Sequence, residues 1–66
     1  MSETGSVKWY NRRLGYGFLE RPQGGDLFVH HSEIVDGESL LVGQEVEFDA
    51  VQGPRGPMAS RVVRPA

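Results

Sequence analysis

Sixty-six residues hold one small domain, and the absence of cysteine excludes disulfide staples, thiolate–metal sites and cysteine nucleophiles. No run of about 18 apolar residues is present, which excludes a membrane-spanning helix. Seven Lys and Arg stand against nine Asp and Glu, for a net charge of −2, so strong overall attraction to a polyanion is excluded and cations can act only locally.

The first residues, Met1-Ser2-Glu3-Thr4-Gly5, lack a basic stretch followed by an apolar block. No signal peptide is expected there, and the cytoplasm is the expected compartment. Nine glycines spread along the chain, with four prolines, interrupt it too often for an amphipathic helix of ordinary length. Strands are therefore predicted at residues 5–11, 16–21 and 26–31, with Pro22-Gln23-Gly24-Gly25 as the turn between the second and third. Ser32-Glu33-Ile34-Val35 predicts a single helical turn capped by Ser32 and ended by Gly37. Residues 44–51 alternate, with Val46, Phe48 and Ala50 directed one way and Glu45, Glu47 and Asp49 the other, which is the period of a half-buried strand. Gly53-Pro54-Arg55-Gly56-Pro57 predicts a stiff loop kept out of the sheet by its missing amide donors, and residues 58–64 a fifth strand. The expected fold is all-β, a five-stranded antiparallel barrel of the OB type. One domain spans residues 1–66, with the ordered barrel over roughly 4–64.

Alternation places Tyr16 and Phe18 on one face of the second strand, and Phe28 and His30 on one face of the third. The other parity carries Leu19, Leu27 and Val29, the better core set. The rings are thus left on the outer face, where a strand normally carries polar residues. An exposed cluster of rings marks an interaction site, and flat rings suit stacked nucleobases. Gly15 and Gly17, beside them, are expected to let a ligand approach closely. Trp9 shares parity with Val7, a core residue, so a bulge is needed to expose it. His30 and His31 point to opposite faces if both are in a strand and so chelate one ion poorly; neither a metal nor a cofactor is expected.

Lys8-Trp9-Tyr10-Asn11, Gly15-Tyr16-Gly17-Phe18, Leu27-Phe28-Val29-His30, Gly43-Gln44 and Arg55-Gly56-Pro57 together resemble the bacterial cold-shock proteins, in order and over nearly the whole chain. The resemblance implies single-stranded RNA or DNA as partner, and an RNA-chaperone or cold-shock role. It implies binding residues at Lys8, Trp9, Tyr10, Tyr16, Phe18, Phe28, His30 and Arg55, polar contacts from Asn11 and Asp26, and a smaller stacking ring at His31, where the family usually has another aromatic. Three departures reduce the expected surface. Leu14 stands where the family's first motif opens with lysine, with Arg13 on the opposite parity. Ser6 replaces an N-terminal lysine, and the loop at residues 36–39 is shorter and lacks an aromatic. Weaker affinity than a typical member is expected.

Three other functions fit parts of the pattern. A peptide-binding barrel would use the same rings, but such grooves carry acidic residues where this chain has Lys8, His30 and Arg55. A four-stranded RNA-recognition domain needs two packing helices. Acyl transfer by Ser32, His30 and Asp26 lacks an oxyanion-hole motif and a deep pocket. The expected protein is a monomeric binding module without enzymatic activity.

Overall fold

A computed structural model describes residues 2–65. Five strands form in the predicted order: β1 (Glu3–Asn11), β2 (Tyr16–Glu20), β3 (Leu27–His30), β4 (Glu45–Gly53) and β5 (Gly56–Val63). They close into a barrel in the order β1-β2-β3-β5-β4, with β4 returning to β1. Four of the contacts are antiparallel, while β3 and β5 run parallel, with Phe28 opposite Met58. This corrects the wholly antiparallel expectation, and the reason is parity. Strand directions cannot alternate all the way around a closed ring with an odd number of members, so one neighbouring pair must share a direction.

Alternation builds the core. Val7, Leu19, Leu27, Val29, Val46, Phe48, Ala59 and Val62 are each at most 2% exposed, and Ile34 and Leu40 from the long β3–β4 connection close it. Ala50 sits opposite buried Ala59, as its parity requires, yet is exposed. No β4 residue after Phe48 is buried, so the strand has by then run past the core. There β4 and β5 form a long hairpin whose turn is only Pro54-Arg55, with Gly53 facing Gly56. Pro57, expected outside the sheet, pairs with Gln52. Antiparallel pairs alternate between those that exchange hydrogen bonds and those that do not, and a proline is tolerated at the latter.

The connections are tied down by arginines. Nε and Nη2 of Arg21 donate to the carbonyls of Gly25 and Gly24, at 3.0 and 3.2 Å, and hold the β2–β3 turn, where both glycines have positive φ. Arg64 pairs with the Asp36 carboxylate and donates to the carbonyls of Glu38 and Ser39 at 3.2 and 2.9 Å, fixing the short loop after Gly37. The predicted helical turn is a 3-10 turn, η1 (His31–Glu33). Its cap is His30 rather than Ser32: the His30 Nδ1 accepts the Ser32 N–H.

Candidate nucleic-acid interface

The site begins with one extra residue. In the β1–β2 ladder Val7 faces Leu19, but Trp9 faces Phe18, so Lys8 has no opposite number. This bulge reverses the phase of β1 beyond it. Trp9 turns outward and is 38% exposed, while Tyr10 turns inward and packs against the core. Tyr10 is therefore not on the face that carries the other rings, which departs from the expectation that it shares their surface. Gly17 is the reason it fits. A Cβ at Gly17 would collide with the Trp9 carbonyl and with Tyr10. Gly15, at φ +80°, likewise leaves room for the His31 ring. Both glycines are buried and serve close packing inside the protein, not the approach of a ligand as expected.

The outward rings form two rows across neighbouring strands. Trp9, Phe18, Phe28 and Met58 face one another in turn across β1, β2, β3 and β5. Asn11, Tyr16 and His30 form the second row. Ring centroids lie 5.7 Å apart for Trp9–Tyr16 and for Trp9–Phe18, 5.6 Å for Tyr16–Phe28, 5.9 Å for Phe18–Phe28 and 6.5 Å for Phe28–His30. Such spacings are those of aromatic contacts, so the rings support one another while each remains half-buried or exposed.

Apart from Asn11, the residues of the two rows floor a groove of about 950 Å³, and the β4–β5 hairpin tip forms its far wall. Of the residues expected at the site, the structure brings Trp9, Tyr16, Phe18, Asp26, Phe28, His30 and Arg55 together around this groove. Lys8 stands outside it, with its Nζ 2.8 Å from the Asp26 Oδ2. The hydrogen bond that Lys8 donates to this carboxylate, followed by the carboxylate's charge, raises the Lys8 pKa above its ordinary value. Asn11 accepts the Leu14 N–H at 2.8 Å and holds the β1–β2 turn. His31, first residue of η1, is out of the strand, so its ring does not point away from that of His30 as expected. The two lie 4.3 Å apart and tilted by 35°.

Sequence reasoning missed Met58, Pro57 and Ser32, all of which line the groove. Met58 joins the floor only through the parallel β3–β5 pair, which no local pattern announces. A signal for Ser32 was available, since a hydroxyl two residues after a strand-ending histidine is placed to meet its ring.

Residues 3–65 match the domain family described as the 'Cold-shock' DNA-binding domain. The Cold shock-like protein CspC of Bacillus cereus is 56% identical over 62 residues, covering 91% of this chain and 95% of that protein. The Cold shock protein CspB of Geobacillus stearothermophilus is 52% identical over 65 residues, covering 94% and 97%. Among solved structures, drosophila Unr CSD456 matches all of this chain with a TM-score of 0.79 at 27% identity, and this chain spans 27% of its length.

Proposed function

The chain belongs to the cold-shock domain family, and from that premise we propose that it binds single-stranded RNA or DNA by stacking unpaired bases on the Trp9, Tyr16, Phe18, Phe28 and His30 rings. The observation that carries the reading is the outward row of rings on adjoining strands while the aliphatic residues of the same strands are buried. Each base stacked on such a ring contributes roughly 1–3 kcal/mol, and every base has a π face to offer. Arg55, on the hairpin tip, faces the rings across the groove and supplies a phosphate contact. Asp26 offers an acceptor to base amino groups. Lys8 acts through Asp26, which it orients, as well as through its charge.

In this reading the protein is a monomeric, non-catalytic binder that works in the cytoplasm as an RNA chaperone or cold-shock regulator. Holding bases apart on a flat surface opposes their pairing with one another, which is the physical content of a chaperone role.

The test is a titration of a pyrimidine-rich single strand followed by Trp9 fluorescence. Phe18→Ala and Phe28→Ala should each cost about 1–3 kcal/mol of binding, with the strand content by circular dichroism unchanged. Wild-type fluorescence that ignores oligonucleotide and responds to a peptide would reject the proposal in favour of a peptide-binding barrel.

A further inference from the structure

His30 ends β3 and lines the groove, and its ring is held from two directions. The His31 ring, 4.3 Å away, lies against it. At Nδ1, Ser32 brings two groups, its backbone N at 3.2 Å and its Oγ at 2.8 Å. The two contacts differ in what they determine. A hydroxyl donates or accepts, so the Oγ contact fits either tautomer of the imidazole. A backbone N–H only donates. Its aim at Nδ1 requires a lone pair there, so the Ser32 hydroxyl also donates to Nδ1 and the proton of the neutral ring sits on Nε2. A proton on Nδ1 would confront the Ser32 N–H and remove the cap of η1.

Nε2 has no hydrogen-bond partner among the described residues, and the ring that carries it borders the groove. We propose that Ser32 is a positioning residue that locks His30 in the Nε2–H tautomer, and that this N–H donates to an acceptor oxygen of a single-stranded nucleic acid lying on Phe28. The inference rests on the proposed function and adds to it a requirement that stacking lacks. A flat ring accepts any base, whereas a directed donor selects a ligand with an oxygen at one place. That oxygen belongs to a base carbonyl or to a phosphate.

The first measurement needs no ligand. In long-range proton–nitrogen spectra of the free protein, above the histidine titration range, His30 should show a protonated Nε2 and a bare Nδ1. Ser32→Ala keeps the backbone N–H that selects the tautomer and loses only the hydroxyl, so Nε2–H should remain the majority form of His30 in that variant too. A majority of Nδ1–H in the wild type or in Ser32→Ala overturns the inference.

The second measurement compares His30→Phe, which keeps a flat ring and loses the donor, with wild type on oligothymidine and oligoadenosine of equal length. The loss of one neutral hydrogen bond should weaken binding roughly three- to tenfold. A loss confined to oligothymidine assigns the base carbonyl, since adenine offers only ring nitrogens; an equal loss on both assigns the phosphate, the acceptor the two strands share, and a loss confined to oligoadenosine points to a ring nitrogen and overturns the oxygen acceptor. Unchanged affinity on both strands overturns the donor. Phe18→Ala, run alongside, separates that failure from failure of the platform: a wild type that binds neither strand, so that Phe18→Ala has nothing to lose, rejects the proposed site and the donor with it.

Discussion

Arg61 shows what a single residue stores in this fold. It has a φ of 53°, the one non-glycine residue with positive φ among those described. It lies where the β4–β5 register slips, since Glu47 faces Val63 while Asp49 faces Ser60, leaving one residue too many on β5. An L-residue in this region gives up about 1–2 kcal/mol, and the surrounding ladder has to enforce it. Its side chain is exposed, so ordinary surface reasoning would assign substitutions there little effect. The backbone argues otherwise. Arg61→Val, with a β-branched side chain that tolerates positive φ least, should lower stability by about 1–2 kcal/mol. Arg61→Gly should stay within about 0.5 kcal/mol of wild type or exceed it, because relief of strain offsets the added freedom of the unfolded chain. Urea midpoints at an unchanged m-value measure both. Equal midpoints for the two variants would show that the bulge relaxes without cost.

At the scale of elements, two strands owe the placement of their side chains to a change of phase. The extra Lys8 turns Trp9 out and Tyr10 in, and the extra residue in β5 brings Val62 into the core two positions after outward Ser60. A period of two, unbroken, would have buried Trp9 and lost a ring from the groove. The β3–β4 connection depends on a different device, the Arg64 clamp. The Glu38 N–H, and then the Arg64 guanidinium, hold the Asp36 carboxyl below its ordinary pKa. A depressed carboxylate pKa contributes stability that is complete above the unfolded value, about 3.9, and is lost as pH falls through the folded one. Asp36→Asn should therefore be less stable than wild type at neutral pH, and the two should converge as the pH drops below about 4. Denaturant midpoints across this range provide the check. A gap that stays constant into acid would mean that the Asp36 charge contributes nothing to the clamp.

For the whole molecule, charge is the unusual property. A net charge of −2 is opposite in sign to what a phosphate backbone attracts. Three of the seven cations, Lys8, Arg21 and Arg64, are also held in ion pairs, and Arg55 is the one arginine that lines the groove. Binding through the groove thus has few counterions to release. With about two to four phosphates contacted at roughly −0.7 each, log K against log salt should fall with a slope between about −1.4 and −2.8. A titration series in salt that gave a slope steeper than about −5 would show that charge, not stacking, dominates. The shift of the family's lysine position to Leu14, 57% exposed and without charge, works in the same direction.

Much of this was legible along the chain because its causes are local. Val7, Leu19, Leu27 and Val29 alternate with Tyr16, Phe18, Phe28 and His30, so a strand of either parity had to bury one set and show the other; glycines and prolines at the turns then divided the chain into five strands. The need for a bulge at Trp9 was visible too, as a conflict between its parity and its neighbours. What the sequence could not disclose was the consequence of that bulge for Tyr10 and the parallel pairing that adds Met58 to the floor. Each depends on contact between residues that one-dimensional periodicity does not relate. A period of two determines which side chains share a face of one strand, whereas the ring order and the register between strands are decided only when the barrel closes, by the requirement that every strand find two partners and every buried side chain find its space.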